Sequence, residues 1–341
     1  MSRTLRWYHI ALMLAITVFV MALCVCVGSV YIPLRDTVGT LLKALRGEAA
    51  LGARGAIILS VRLPRVLCTA LVGASLSLCG AAMQGLLRNP LADGSTLGVS
   101  SGASLGAAVA IVTGFSAAGL PLAGTAVMAM LFAFASLAGI LALAFALDKS
   151  LSTHTIILIG IVYAMLISSV LSLLIAFSGE KLRSITFWTM GSLASASYPA
   201  AALLGCFLAV CGGFLLTQAP ALDAFALGES QALHLGVHVR RVKLTVMIAV
   251  SALVGVCVAV GGGIGFVGLV TPHMVRLLTG PNHRRLLPVS LFSGAVFLLL
   301  CDLAARTLIA PGELPIGVVT SIIGAAAFIG IYARSGKGEG A

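Results

Sequence analysis

Apolar runs of about 20 residues recur along the whole chain, and they constrain its fold more than any other feature. As a helix, a run of this length crosses a hydrocarbon core of roughly 30 Å. The runs lack the alternation of apolar and polar residues that a membrane β-barrel requires. The sequence therefore predicts an all-α integral membrane protein with both chain ends on one side. We place about ten transmembrane helices at residues 10–30, 64–87, 95–113, 120–147, 155–177, 186–217, 242–261, 264–279, 286–309 and 314–333.

The composition favours a membrane environment over a water-soluble fold. Of the 341 residues, 60% are hydrophobic and only 9% are charged, which leaves too few polar side chains to cover a surface in water. The first apolar run follows Arg3 and Arg6, as a signal peptide would. It is long and no clear small-residue cleavage site follows it, so we expect it to stay as a helix of the mature protein.

The net charge of +11 does not indicate a nucleic-acid partner, because the basic residues lie in loops between the predicted spans. With a cytoplasmic amino terminus, twelve of the 21 lysines and arginines lie on the cytoplasmic side, a weak positive-inside bias. Six of the nine on the opposite side crowd into residues 35–65. Membrane insertion gives no reason for that cluster, whereas an acidic partner outside the cell would.

Two longer polar segments interrupt the apolar runs, at residues 31–63 and 217–243. The second contains ALGESQALHLG at 226–236, which predicts a short amphipathic helix ended by Gly236. A helix this short needs a partner surface. Because the other loops are short, we expect a single transmembrane domain over residues 1–341, with a cytoplasmic segment at about 217–241 within it.

Three local patterns predict how the helices pack. Gly98, Gly102 and Gly106 recur at steps of four, a spacing that lets another backbone approach closely. Asp302 and Arg306 are four residues apart on one predicted helix and can pair within it. The run GGGIGFVG at 261–268 is too rich in glycine for a stable helix, and it predicts a break followed by a half-helix.

The sequence offers one pattern typical of a catalytic serine. The segment GVSSG at 98–102 matches G-x-S-x-G, so an intramembrane serine protease with Ser100 as nucleophile and His273 as base is an alternative function. The match lies within a helical apolar run, where packing of small residues explains it equally well. A passive channel is a further alternative. No P-loop is present, so any ATP must be used by another chain.

We expect no metal site and no cofactor in this chain. His234 and His238 have a spacing that suits metal ligands, but Gly236 between them weakens the helix that would hold them, and a solvated pair is the favoured interpretation. All eight cysteines lie within apolar runs and form no C-x-x-C pair. We interpret them as small packing residues.

Six sequence blocks resemble, in order and over nearly the whole length, the FecCD family, the permease subunits of type II ABC importers for iron-siderophores, haem and vitamin B12. The blocks are RLPR (62–65), QGLLRNPLADGSTLGVSSGA (84–103), LST (151–153), ALGESQALHLG (226–236), GGIGFVGLVTPHMVRLL (262–278) and ELPIGVVTSIIGA (313–325). The resemblance implies a type II ABC importer permease fold in the bacterial inner membrane.

The resemblance also implies partners. These are a second permease copy forming a homodimer or pseudo-dimer, a cytoplasmic ABC ATPase dimer that binds ATP and Mg, and a bilobed substrate-binding protein outside. The chain would then be a transporter subunit rather than an enzyme, and it would move an iron chelate by alternating access along a pathway between the two copies. An iron-siderophore is the first choice because it is the commonest cargo of the family, and haem and cobalamin stay open.

Three groups of site residues are implied by the same resemblance. Docking of the binding protein falls on Arg62, Arg65 and Arg306. Coupling to the ATPase falls on Ala226, Leu227, Gly228, Glu229, Leu235 and Gly236. The cytoplasmic gate and the pathway fall on Ser152, Thr153, His154, Ser168, Ser169 and Ser172, where His154 departs from the small hydroxyl residue of the vitamin B12 importer. The segment ITFWTMGS at 185–192 resembles the family's short helix at the outer mouth of the pathway.

Overall fold

The computed structural model describes residues 6–28, 32–46, 52–94, 98–116, 121–149 and 152–335. Within them the regular structure is helical, and the helices are α1 (Trp7–Cys26), α2 (Leu34–Leu45), α3 (Ala53–Leu87), α4 (Val99–Thr113), α5 (Pro121–Leu147), α6 (Thr153–Ala176), α7 (Leu182–Thr189), α8 (Tyr198–Thr217), α9 (Ala219–Ala226), α10 (Glu229–His234), α11 (Val239–Gly261), α12 (Val267–Thr279), α13 (His283–Thr307) and α14 (Ile316–Ser335). Arg3, residues 95–97 and Leu151, all cited above, lie outside the described residues.

Among the described residues, seven helices are long and apolar enough to cross a membrane, namely α1, α3, α5, α6, α8, α11 and α13. The shorter helices α4, α12 and α14 occupy the three remaining predicted spans, and the all-α membrane fold is confirmed. The most apolar windows of α3 and α11 are 89% and 78% buried, whereas that of α6 is only 17% buried. The centre of the bundle is therefore built on α3 and α11, and α6 lies at its periphery.

The helix that carries the RLPR block begins earlier than predicted, at Ala53 rather than at residue 64. Pro64 lacks a backbone N–H, which would normally break a helix here. The chain continues because residues Ile57–Arg62 form a π-helical turn. The hydroxyl of Tyr198 donates a hydrogen bond of 2.6 Å to the carbonyl of Leu59 within that turn. A neighbouring side chain thus satisfies part of the backbone that the irregular turn exposes.

The single span predicted at 186–217 is wrong. Residues Leu182–Thr189 form the short helix α7, and α8 begins only at Tyr198. Gly191, with a φ of +80°, turns the chain between them, and the hydroxyl of Ser197 accepts a hydrogen bond from Ala200 N at the start of α8. The apolar run at 186–217 is continuous in sequence, so its composition does not indicate the turn within it. The resemblance of residues 185–192 to a separate short helix agrees with the observed break.

Glycines allow the central helices to touch through their backbones. A Cβ atom added to Gly73 of α3 would collide with the carbonyl oxygen of Gly294 in α13. A Cβ atom added to Gly80, two turns further along α3, would collide with the backbone of Gly268 in α12. These contacts fix α3 between α12 and α13 without space for side chains.

The glycine spacing in α4 has the predicted consequence. A Cβ atom on Gly102 would collide with Ser136, and one on Gly106 with the backbone at Met128, both on α5. Close packing of α4 on α5 is therefore confirmed. Gly98 has a different role from the predicted one, because it precedes the helix with a φ of +66° and caps its start.

The glycine-rich run breaks the chain as predicted. Helix α11 ends at Gly261, and α12 begins at Val267 as a half-helix of 13 residues. The backbone N–H of Ser192 donates to the carbonyl of Gly261 at 2.9 Å, and the loop after α7 packs against Gly262 and Gly263. Protein therefore covers the exposed backbone, as a break at membrane depth requires.

Candidate functional site

Helices α9 and α10 form a compact segment on the side predicted to be cytoplasmic, and we call residues 219–236 the coupling segment. The predicted short helix is confirmed as Glu229–His234, with Gly236 following it at a φ of +82°. The ALGESQALHLG block is not one helix, however. Ala226 ends α9, and Gly228, with a φ of +113°, turns the chain before α10 begins.

The coupling segment presents large apolar side chains to its surroundings. Leu227, Leu233 and Leu235 are 66%, 62% and 63% exposed. These side chains lie between α8 and α11, outside the helices long enough to span a membrane. Such a patch at the end of a bundle is typical of a surface that another protein covers.

The carboxylate of Glu229 joins the coupling segment to two membrane spans. Its Oε1 accepts a hydrogen bond of 2.7 Å from the hydroxyl of Thr153, in the first turn of α6. Its Oε2 lies 2.7 Å from Nζ of Lys243, in the first turns of α11. The Lys243 side chain is fully buried, whereas that of Glu229 is 36% exposed. One side chain therefore contacts both α6 and α11 from α10.

The electrostatic environment keeps Glu229 ionised. Partial burial by itself would raise the pKa of Glu229, but hydrogen bonds from Lys243 and Thr153 and the charges of Lys243 and Arg88 outweigh it, so the pKa lies below its ordinary value. The carboxylate form therefore predominates at neutral pH. In that form both oxygens accept charge-assisted or hydroxyl hydrogen bonds.

A second polar contact, which the sequence reasoning missed, anchors the other half of the coupling segment. Asp223 Oδ1 lies 2.7 Å from Nδ1 of His283 and accepts a hydrogen bond of 2.8 Å from the His283 backbone N–H. His283 begins α13 and is buried against Gly85 of α3. The two residues are 60 positions apart, so spacing could not have revealed the pair. The coupling segment thus contacts α6 and α11 through Glu229 and α13 through Asp223.

The predicted gate residues lie at the start of α6, next to the coupling segment. Ser152 caps the helix, since its hydroxyl accepts a hydrogen bond from Thr155 N, and Asp148 Oδ2 accepts hydrogen bonds of 3.0 Å from the Ser152 backbone N–H and from the Thr155 hydroxyl. Thr153 contacts Glu229, and His154 is exposed. Ser152 and Thr153 are therefore brought together with the coupling segment, while His154 faces outward.

The three serines predicted to line the pathway lie on an exposed face of α6. Ser168, Ser169 and Ser172 are all exposed in the single subunit. The hydroxyl groups of Ser169 and Ser172 donate hydrogen bonds of 2.9 Å to the carbonyls of Met165 and Ser168 within the helix. These three side chains are small and neutral.

At the opposite end of the bundle, a buried ionic cluster surrounds Asp302. Arg306 Nε lies 2.9 Å from Asp302 Oδ2, which confirms the predicted intrahelical pair. Arg65 of α3 also binds the carboxylate, with Nη2 at 2.9 Å and Nε at 3.0 Å from Oδ1. Arg65 Nη1 reaches both carboxylate oxygens of Glu313 at 2.9 Å. Two arginines and two acids thus connect α3, α13 and the start of α14.

Arginines also cap the end of α1. Arg62 Nη1 donates hydrogen bonds of 2.9 and 3.0 Å to the carbonyls of Val25 and Cys26. Arg306 Nη2 donates one of 3.1 Å to the carbonyl of Cys24. The last carbonyls of a helix have no partner within it, and positive charge is favourable at this end.

The three arginines predicted to dock the binding protein therefore point into the protein. Arg62, Arg65 and Arg306 are 5%, 6% and 3% exposed. Their place at the outer end of the spans stays a prediction, and the sequence does not reveal their internal partners. Glu313, in the ELPIG segment, is the residue that sequence reasoning missed, and its side chain is 35% exposed.

The alternative of a serine protease finds no support in the geometry. Ser100 lies within the helical first turn of α4, and the Ser100 carbonyl accepts a hydrogen bond from the Ser104 hydroxyl at 3.0 Å. A nucleophile elbow requires a strand-to-helix turn. His273 packs its ring against Phe328, with 5.6 Å between ring centroids. For metals, the described residues contain no group of three or more His, Cys, Asp or Glu side chains that could hold an ion.

Comparison with known proteins identifies the relatives of the chain. The FecCD transport family model matches residues 15–334. YvrB of Bacillus subtilis (strain 168), described as an uncharacterized ABC transporter permease protein, is 44% identical over 285 residues, which cover 83% of this chain and 80% of that protein. HmuU, the hemin transport system permease protein of Yersinia pestis, is 39% identical over 281 residues, covering 82% and 83%.

A solved structure described as the inward-facing conformation of a metal-chelate type ABC transporter has the same fold. It is 33% identical in sequence, with a TM-score of 0.82, and the match covers 96% of this chain and 99% of that one. The relatives are permease subunits and not enzymes, which overturns the protease and passive-channel alternatives. Such permeases work with a partner ATPase and as dimers in the bacterial inner membrane. The chain belongs to the FecCD transport family and is an ABC importer permease subunit.

Proposed function

We propose that this permease imports a metal chelate, with an iron-siderophore as first choice, by alternating access between two permease copies. A binding protein outside delivers the chelate, and ATP with Mg is held by the partner ATPase. Haem and cobalamin remain alternative cargoes. The chain itself contributes the pathway, the gate and the connection to the ATPase.

The contact that carries this proposal is the one between Glu229 and Thr153. The exposed leucines of the coupling segment offer the ATPase an apolar surface. Movement of that surface shifts α10, and Glu229 passes the movement to Thr153 in the first turn of α6. Because Lys243 holds the other carboxylate oxygen, α11 moves with it. ATPase closure is thereby converted into rotation or translation of the span that carries the gate.

The exposed face of α6 is the proposed wall of the pathway. Ser168, Ser169 and Ser172 are exposed on this face, and the hydroxyl groups of Ser169 and Ser172 already bond within the helix. A bulky chelate needs a wall that neither repels it nor holds it, and small neutral side chains provide this. The second copy would face the same surface across the pathway.

Docking at the outer side is proposed to proceed by an exchange of acidic partners. Arg65 now binds Glu313, whose carboxylate is partly exposed. An acidic residue of a binding protein can take the place of Glu313, so that the buried guanidinium keeps its charge compensated. Arg62 and Arg306, held by the end of α1, would support the same surface.

The cargo is proposed from the family as a whole. HmuU is named for hemin, and the solved neighbour is described as metal-chelate type. Neither name specifies a siderophore, and similar identity to differently named permeases does not separate cargoes. Iron-siderophore is retained because that class is the commonest in the family.

Reconstitution tests the proposal directly. The permease, its ATPase and its binding protein are placed in liposomes, and uptake of a ferric siderophore, haemin and cyanocobalamin is measured. We expect uptake of one metal chelate that requires ATP and the binding protein. Uptake that continues without ATP, or transport of none of the chelates by an ATPase-active complex, would contradict the proposal.

A further inference from the structure

A cavity of about 670 Å³ lies beside the first turns of α11, at the cytoplasmic end of the bundle. Its lining combines apolar side chains, including Val239 and Leu244, with His238, Arg240 and Arg241. One lining residue, Leu233, belongs to the coupling segment, whereas the gate residues and the contacts of Glu229 lie outside the cavity. Cations lie at its opening and apolar groups lie beside them. This composition suits an amphipathic anion.

The positive charge of the cavity is not neutralised by the protein. In the ranges that the structure describes, neither Arg240 nor Arg241 forms an ion pair with an acid. Arg240 instead lies over the ring of Phe145 of α5, with its Cζ 4.9 Å from the ring centroid. The nearby acid Glu229 is already bound to Lys243 and Thr153. The guanidinium groups are therefore available to an external anion.

An exposed stripe runs from these cations towards the membrane interior. Helix α11 is mostly buried, but Arg241 is exposed, Thr245 is partly exposed and Ile248 is 47% exposed. Residues at these steps share one face of a helix. The hydroxyl of Thr245 donates to the carbonyl of Arg241 at 2.9 Å, so it needs no further partner. The face below the cations therefore accepts an apolar chain.

The neighbouring helix α5 extends this apolar surface. Phe145 and Leu147, near the end of α5, are 43% and 70% exposed. Both lie at the membrane boundary, where α5 ends and α11 begins, and this is the depth of the phospholipid headgroups. A cluster of cations at this depth attracts anionic lipids of the cytoplasmic leaflet.

We propose that the cavity binds one anionic phospholipid. Arg240, Arg241 and His238 would contact its phosphate, and an acyl chain would lie along Leu244 and Ile248. The alternative occupant, an acidic surface of the ATPase, is not favoured because the exposed apolar stripe continues into the span, beyond the reach of a cytoplasmic protein.

Native mass spectrometry of the full chain tests this proposal. The protein is stripped of lipid in a nonionic detergent and titrated with dioleoylphosphatidylglycerol or dioleoylphosphatidylcholine. We expect a preferred single adduct with the anionic lipid. The double variant R240Q/R241Q should bind it about 30-fold more weakly. Each basic residue near the membrane surface contributes about 1 kcal/mol, so the loss of two costs about 2 kcal/mol. The control R284Q/R285Q removes equal charge on the same side, outside the cavity, and should change affinity less than about threefold.

A measurement on the unaltered protein covers the case in which the variant fails to fold. Dihexanoylphosphatidylglycerol and inorganic phosphate are compared with the dioleoyl lipid, and both should bind far more weakly. Equal binding of the short-chain lipid or of phosphate would overturn the proposal in favour of a free-anion site. Equal losses in both double variants would overturn it as non-specific attraction, and displacement of the lipid by the purified ATPase would assign the face to that subunit.

Discussion

Arg65 Nη1 lies 2.9 Å from each carboxylate oxygen of Glu313, and this contact joins the outer part of α3 to the segment that leads into α14. Arg65 is buried, while Glu313 is partly exposed. A residue expected to meet an external acid is therefore already bound to an internal one. Under the docking proposed above, two acids would compete for one guanidinium.

Removal of the internal competitor should strengthen docking. In the variant Glu313→Gln, Arg65 loses an ionised partner, and we expect the affinity for the binding protein to rise about tenfold, the effect of one charge-assisted hydrogen bond. Surface plasmon resonance with the permease in nanodiscs measures this. The control Glu180→Gln removes an exposed acid that we also place outside, and it should have little effect. Unchanged or weaker docking in Glu313→Gln would rule out the exchange.

The central acid of the outer cluster should be essential for stability. Asp302 is 1% exposed and compensates both Arg65 and Arg306. Asp302→Asn leaves buried positive charge uncompensated, and we expect a loss of about 3–5 kcal/mol in the free energy of unfolding. Thermal unfolding in detergent, converted to a free energy, provides the comparison.

A surface ion pair supplies the matched control for that substitution. Asp36 binds Arg54 at 2.6 Å, but the two side chains are 40% and 65% exposed. Asp36→Asn should therefore cost less than about 1 kcal/mol. If Asp302→Asn were as mild as Asp36→Asn, the cluster would not hold the outer ends of the helices together.

The backbone contact between α3 and α12 should not tolerate a methyl group. A Cβ atom at position 80 meets the backbone of Gly268, which cannot move as a flexible side chain would. We expect Gly80→Ala to destabilise the protein by about 1–3 kcal/mol. Gly205→Ala, in a helical position with open space, should instead stabilise it by about 0.5–1 kcal/mol. Equal effects of the two changes on the unfolding temperature would disprove close packing at Gly80.

Attachment of the coupling segment should be insensitive to pH in the physiological range. The pKa of Glu229 lies below its ordinary value of 4.5, since its hydrogen bonds and nearby cations outweigh the effect of burial. A lowered pKa means that the stabilising contribution is fully present above 4.5 and is lost as the pH falls through the lowered value. A spin label at Leu233→Cys should keep constant mobility from pH 8 to about 5 and gain mobility only in more acidic solution. A change centred near pH 6 to 7 would indicate that another group controls the attachment.

A large part of the fold could be predicted from local sequence patterns. The apolar runs indicate the spans, the glycine steps indicate the close packing of α4, and the glycine-rich run indicates the break after Gly261. The pair of Asp302 and Arg306 was predictable for the same reason, since four residues make one turn. The turn at Gly191, which separates α7 from α8, was missed because an unbroken apolar run gives no signal for a turn within it. The short helix within ALGESQALHLG was predictable from its composition and from Gly236, whereas its coupling role is implied only by the family resemblance.

The connections of the site could not be predicted, because they join residues far apart in the chain. Thr153 and Glu229 are 76 positions apart, and Arg65 and Glu313 are 248 apart. Only the packing of α3 against α13, and of α6 beside α10, brings these groups together. The inward direction of the Arg62 side chain could not be predicted for a similar reason, because its partners are carbonyl groups at the end of α1.

The link from ATPase to gate through Glu229 is the central claim, and the ratio of chelate imported to ATP hydrolysed tests it most directly. In the reconstituted transporter, Glu229→Gln weakens the contacts with Lys243 and Thr153 while leaving the exposed leucines in place. We expect ATP hydrolysis to stay within about twofold of the wild type while chelate imported per ATP falls about tenfold, with Glu180→Gln unchanged. A wild-type ratio in Glu229→Gln, or an equal fall in hydrolysis and uptake, would contradict the claim.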